Sequence, residues 1–155
     1  MKLGTKGRYA VMAMVDLAMQ EKESHPSGPI ALSMIAERQE ISVLYLEQLF
    51  SKLRQKGLVT SSRGVMGGYV LARPSHTISI ADIAQAVDEP LHATRCQPTD
   101  AGGCLSTKSQ CVVHGLWHAL GVEIATYLSS VTLHDVIQKD YKGARSSFVT
   151  KQVCS

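Results

Sequence analysis

The spacing of apolar positions changes along the chain, and each change marks an element. From Gly7 to Met19 a dense run of Ala, Met and Leu carries Met12, Val15 and Met19 on one stripe, which predicts a largely buried helix. Ser24-His25-Pro26-Ser27-Gly28-Pro29 interrupts it, since proline removes a donor and glycine a restraint. A short helix is expected next over Ile30 to Glu37, with Leu32, Ile35 and Ala36 inward. Arg38 to Ile41 makes a tight connection. Ser42 then stands as N-cap to a third helix, Val43 to Lys56, closed by Gly57 at C′. Leu46, Leu49, Phe50 and Leu53 fall at i, i+3, i+4 and i+7 and turn one side of that helix to a core.

Beyond it the period shortens to that of strands. Leu58 to Ser62 and Tyr69 to Ala72 have strand composition, and Arg63-Gly64-Val65-Met66-Gly67-Gly68 between them has turn composition. Helix, helix and hairpin together predict a winged helix. After Pro74, Ser79 with Asp82 caps another helix to about Val87, with Ile80, Ile83 and Val87 inward. Val113, Trp117, Leu120, Ile124, Tyr127 and Val131 then alternate steps of four and three, a seam that predicts packing on a partner helix and hence a homodimer. A seam this short also suits docking on the chain's own core. Thr132 with Asp135 starts a short last helix, and the segment from Tyr141 is polar. The expected class is therefore mainly α with a small β-wing. A winged helix-turn-helix DNA-binding domain spans 1–90, a ligand-bearing loop 91–111, a dimerisation helix and short terminal helix 112–138, and a tail 139–155.

Length and charge narrow the reading. With 155 residues the chain holds one ordinary domain, or a small domain with an oligomerisation element. Its net charge of +3 is uneven: residues 1–75 hold ten Lys/Arg against six Asp/Glu, and 76–155 hold six against seven. The basic half is the one with the winged helix, which permits a focused nucleic-acid patch. The outer side of the third helix offers Tyr45, Glu47, Gln48, Ser51, Lys52 and Gln55, side chains able to bond base edges or phosphates from the major groove. Arg63 near the wing tip is placed for a minor groove, whose negative potential draws arginine. The glycines of the turn are not followed by Lys-Ser/Thr, so a nucleotide-binding loop is not expected, and no nucleophile–base pair suggests an enzyme. No apolar run nears the ~20 residues of a membrane span. Lys2, Lys6 and Arg8 precede no cleavable signal, so a cytoplasmic location with reduced thiols is expected.

Cys96, Cys104, Cys111 and His114 cluster in and after the loop, and thiolate with imidazole favours zinc, copper or an iron–sulfur centre. Seven residues separate the first two cysteines and six the next two, without the tight Cys-x-x-Cys knuckle of structural zinc, so an iron–sulfur cluster fits better. If a helix begins near Cys111, that residue and His114 share a face, and His118, one turn further, competes as a ligand. Cys154, in the tail, is a bystander.

Several segments together resemble a known family: Thr5-Lys6-Gly7-Arg8-Tyr9-Ala10-Val11, Tyr45-Leu46-Glu47-Gln48-Leu49-Phe50 with Leu53-Arg54, Gly57-Leu58-Val59, Arg63-Gly64, Gly67-Gly68-Tyr69, Ala86-Val87-Asp88-Glu89, and Ala93-Thr94-Arg95-Cys96 with His114 and Trp117. They are similar to the Rrf-type winged-helix regulators of bacteria, in the branch that senses iron–sulfur cluster status and controls cluster-biogenesis genes. The resemblance covers roughly residues 1–137. It implies a homodimer, repressor at some promoters and activator at others. Each subunit would hold a 2Fe-2S cluster through Cys96, Cys104, Cys111 and His114 and receive it from the cluster-assembly machinery. It also implies contacts to double-stranded promoter DNA from Ser42, Tyr45, Glu47, Gln48 and Arg63, with Glu47 discriminating between site classes. With the flanking positions of the matched segments and of the helix face, the candidate set becomes Lys6, Arg8, Tyr9, Ser42, Tyr45, Glu47, Gln48, Ser51, Lys52, Arg54, Arg63, Gly64 and Tyr69. Leu44 stands where the branch usually has serine, and Val65-Met66 replaces its proline-glycine wing tip. The alternatives are a nitric-oxide or iron-responsive repressor with a 4Fe-4S cluster, and a winged-helix module binding zinc.

Overall fold

In the computed structural model, residues 4–23, 28–91, 104–106 and 109–141 are described; Arg95, Cys96 and the tail with Cys154 lie outside them. Helix α1 runs Thr5–Glu23. It extends beyond the Gly7 to Met19 expected, and its core face differs. Ala10, Ala13, Met14, Leu17 and Ala18 are buried, whereas Met19 is 40% exposed and Met12 and Val15 are half-buried. A helix apolar most of the way round has no single stripe, so its neighbours choose the face. Its first turn lacks a local cap and takes one from far away: the Gly4 and Gly7 N–H groups donate to the Glu89 carboxylate at 2.6 and 3.3 Å. An anion there also meets the positive end of the helix dipole. Glu89→Ala should therefore lower stability by about 1 kcal/mol in urea unfolding. An unchanged midpoint would show that water replaces the cap.

Helix α2 is Leu32–Gln39, with Leu32, Ile35 and Ala36 buried as the pattern requires. It stops at Glu40, whose φ of 54° is left-handed. Ile30 was expected to open this helix but lies before it, bridged to Tyr69 by Ile30 N–H to Tyr69 O at 2.9 Å and Tyr69 N–H to Ile30 O at 2.8 Å. The wing offers an unpaired strand edge, and these two bonds satisfy backbone groups that a helix start would leave without partners. Gly68 permits the approach, since a Cβ on it would lie 2.4 Å from the Ile30 carbonyl carbon.

Helix α3, Val43–Gln55, is capped by the Ser42 hydroxyl, which accepts the Tyr45 N–H at 3.2 Å. It ends one residue short of the expected Lys56, with Gly57 following at φ 69°. Leu46, Leu49, Phe50 and Leu53 are all buried. Strands β1, Val59–Ser62, and β2, Gly68–Leu71, pair antiparallel in the register Val59 to Leu71 through Ser62 to Gly68. A 3₁₀ turn at Ser75–Thr77 leads to α4, Ile80–Ala86. Ser79 and Asp82 form the expected reciprocal capping box there.

Helix α5 is His114–Ser130 and α6 is Leu133–Gln138, the latter begun by a capping box of Thr132 and Asp135. The far end of α5 returns to the winged domain: Ile80 N–H donates to Val131 O at 2.9 Å and Leu133 N–H to Ile78 O at 3.0 Å. Val131 and Leu133 are buried in the same core as Phe50, Met14 and Ile83. The rest of the α5 seam does not dock there. Ala125 and Leu128 make its contact with Ala81, Ala84 and Leu91, while Trp117 and Tyr127 are 36% and 41% exposed.

Asp135 is buried in its capping box, and a second carboxylate, Asp16, is sealed between α1 and α2. Asp16 is 5% exposed and receives Arg38 Nε at 3.0 Å, Arg38 Nη2 at 2.6 Å and Gln39 Nε2 at 2.7 Å. It braces α1 against the end of α2, just before the recognition helix.

Candidate nucleic-acid interface and ligand cluster

Burying Leu46, Leu49, Phe50 and Leu53 forces the opposite side of α3 outward, so Glu47 and Gln48 are exposed in its first turns. Tyr45 is held edge-on by Tyr9 of α1, ring centroids 6.0 Å apart. Lys52 bonds Asp88 at 2.5 Å, and Arg54 Nη1 donates to Ser61 of β1 at 3.2 Å. The same α3 reaches the wing from inside, where Phe50 meets the Tyr69 ring at 4.9 Å. Tyr69 is thus packed on the core side of the hairpin. Lys6, Arg8, Ser42, Arg63 and Gly64 are exposed, and Ser51 is half-buried beside them. Leu44, in the first turn of α3, is 67% exposed.

Asp88 and Glu89 belong to this face although no role was read for them from the chain. Asp88 sits at φ 56°, tolerable for an aspartate, just after α4. The hydrogen bond from Lys52, and then its charge, hold the Asp88 carboxyl below its ordinary range. The contact therefore persists above the usual carboxylate pKa and opens only as pH falls through the lowered value. Glu89 caps α1, and Leu91 packs against Ala81, Ala84, Ala125 and Leu128. Residues 88–91 thus join recognition helix, α1 and α5 at the start of the segment expected from the sequence to carry the ligands. No periodicity reveals these links, because 36 residues separate Lys52 from Asp88 and 85 separate Gly4 from Glu89.

On the other side of the loop, Cys104 Sγ lies 3.1 Å from His114 Nδ1. His114 opens α5, and its N–H donates to the Cys111 carbonyl at 3.0 Å. Cys111 therefore lies in the turn before α5, not on one helical face with His114 as expected from a helix starting near it. Neither Cys104 nor Cys111 is in a disulfide. His118, one turn further along α5, is half-buried. Among the described residues no three metal-binding side chains stand together, Cys96 lying outside them. A thiol and an imidazole in contact, with a second thiol three residues before the imidazole, fit a soft-metal centre by the chemistry of the donor set.

A recognition helix packed on a helix-turn-helix, with a hairpin wing fixed to its inner side, defines a winged-helix DNA-binding protein. The Rrf2 family, described as "Iron-dependent Transcriptional regulator", matches residues 3–139, and the chain belongs to that family. It is 46% identical over 138 residues to the HTH-type transcriptional regulator IscR of Xenorhabdus nematophila, covering 89% of this chain and 80% of that one. Among solved structures, IscR of T. potens superposes with a TM-score of 0.68 at 37% identity over 90% of this chain and 88% of that one. CymR, the global cysteine regulator of B. subtilis, gives 0.72 at 33% identity over 90% and 98%. The chain is thus a transcriptional regulator and not an enzyme. No helix among its described residues is long and apolar enough to cross a membrane.

Proposed function

We propose that this regulator binds promoter DNA as a homodimer and senses iron–sulfur cluster status through a 2Fe-2S cluster on Cys96, Cys104, Cys111 and His114, controlling genes of cluster biogenesis. The observation that carries the reading is the 3.1 Å approach of Cys104 Sγ to His114 Nδ1. Such a cluster, when bound, supplies a redox- and supply-sensitive crosslink between loop and helix. The chain's own residues provide the rest. Leu91 on α4 and α5, Glu89 on α1 and Asp88 on Lys52 tie the start of the loop to the DNA-reading face. A change of order in the loop then alters DNA affinity to the extent that these contacts differ between the two states. Dimerisation is supported by α5, where Leu116 is 61%, Val122 50% and Tyr127 41% exposed on a single chain. Its cytoplasmic setting follows from the reduced thiols it needs, and the assembly machinery is its cluster donor.

Protein isolated without oxygen should be coloured, with about two irons and two sulfides per chain, and its promoter affinity should change when the cluster is removed. His114→Ala should abolish or bleach the visible spectrum, and His118→Ala should leave it. Four irons per chain with an unaffected His114→Ala spectrum would favour the 4Fe-4S sensor, and stoichiometric zinc without iron the structural zinc module. A colourless protein after anaerobic reconstitution, with Cys104→Ala unchanged in DNA binding, sinks cluster sensing.

A further inference from the structure

We propose that Val65 and Met66, at the tip of the wing, form an apolar wedge that enters the minor groove of the bound duplex and opens a base step there, selecting deformable sequence without bonding any base. The proposal rests on the DNA-binding reading above and adds to it a contact of a different kind.

Val65 is 103% and Met66 86% exposed. They are the middle residues of a four-residue turn, closed by the Gly67 N–H donating to Gly64 O at 2.9 Å. Such positions are normally Asn, Asp, Gly or Pro, whose local bonding or fixed backbone suits a turn in water; here both are large and apolar. The turn is also tightly built. Gly64 has φ 113°, and a Cβ on Gly67 would lie 2.6 Å from Ser62 O and 2.8 Å from Gly64 O. The hairpin is fixed to the recognition helix by Arg54 on Ser61 and by Phe50 on Tyr69, so its tip has a set position relative to α3. Two side chains are too small a patch for a protein partner, whose specific interfaces bury about 1,200 Å² or more. A narrow groove is the occupant that two side chains can fill. Arg63 at the base of the tip is exposed and meets the negative potential of that groove. Methionine and other apolar side chains used in this way unstack a base step and kink the duplex, with the energy of unstacking depending on the step.

The test uses the full-length protein and a duplex that the native protein selects from a random pool, end-labelled for anisotropy and for energy transfer. Asn suits a turn, so the double variant V65N/M66N keeps the hairpin; it should bind about tenfold more weakly and bend the duplex less. Because it removes no charge, the slope of log affinity against log salt should not change, whereas Arg63→Ala should make that slope shallower by about one. M66L, apolar and similar in size, should bind and bend as the native protein does. Unchanged affinity and bend in V65N/M66N would overturn the wedge while leaving DNA binding intact. Loss of self-association in sedimentation, with affinity per dimer unchanged, would overturn it in favour of a contact between copies. Failure of the native protein to select any sequence, with or without its cluster, would remove the DNA-binding reading and the wedge together.

Discussion

Phe50→Ala should lower the melting temperature by roughly 6–20 °C and loosen the wing from the recognition helix. Phe50 is fully buried and stands where the two halves of the DNA-reading face meet: its backbone belongs to α3 and its ring lies edge-on to Tyr69 of β2 at 4.9 Å. Removing the ring forfeits its transfer free energy and leaves a cavity among Leu46, Leu49 and Leu53, about 3–5 kcal/mol in all. At about 2–4 °C per kcal/mol for a chain of this size, the shift is readily seen by calorimetry. Phe50→Leu keeps most of the volume and should cost about 1.5 kcal/mol or less. The functional mark is separate from the thermal one. At a temperature where Phe50→Ala remains folded, amide exchange in Gly68–Leu71 should rise more than in α4, since only β2 loses a ring partner. A melting shift under about 3 °C would mean that the cavity collapses without strain.

Arg38→Met should destabilise the chain by about 3 kcal/mol, because it leaves the buried Asp16 carboxylate with the Gln39 amide in place of three donors. The double change Asp16→Leu with Arg38→Met removes both charges and should come within about 1 kcal/mol of the native chain, since well-packed apolar residues often replace a buried pair without loss. Urea unfolding of the native chain, Arg38→Met, Asp16→Leu and the double variant gives the coupling directly. A single Arg38→Met variant as stable as the native protein would mean that water reaches Asp16. The Asp16 hydrogen bond raises the pKa of Arg38 above its already high ordinary value. Stability from a raised group is present below its unfolded value and lost only as pH rises through the folded one, so from the arginine side the brace holds across the whole neutral and alkaline range. The brace sits between α1 and the turn into α3, so Arg38→Met should also weaken DNA binding more than its distance from the outer face suggests.

Much of this architecture was readable along the chain because it rests on short-range signals. Ser42, the spacing Leu46-Leu49-Phe50-Leu53 and Gly57 define α3 within one or two residues, since capping and amphipathic period are properties of neighbours in sequence. Ser79 with Asp82 and Thr132 with Asp135 gave their helix starts for the same reason. Of the α1 stripe, Met12 and Val15 pack on the margin of the core and Met19 is exposed, because that helix is apolar on several sides and its neighbours α2, α3, α4, α6 and β2 decide which side is covered. Ile30 was misread as helical because its true partner, the Tyr69 edge, is 39 residues away and has no local signature. The α5 seam divides between the two dockings it allows: Val131 at its end is drawn into the chain's own core, its carbonyl accepting the Ile80 N–H, while Trp117 and Tyr127 stay exposed.

The candidate sites divide in the same manner. The residue types were legible: thiols and an imidazole for a soft metal, and polar side chains opposite a core stripe for base edges. Neighbours along the chain set the local choices, namely which segments are helix or hairpin, where they are capped and which chemistry each presents. The tertiary structure alone decided that Cys104 meets His114, that Lys52 is held by Asp88, and that Glu89 closes the first turn of α1. Those contacts join groups 10, 36 and 85 residues apart, and their energies depend on burial and orientation that exist only once the elements have packed.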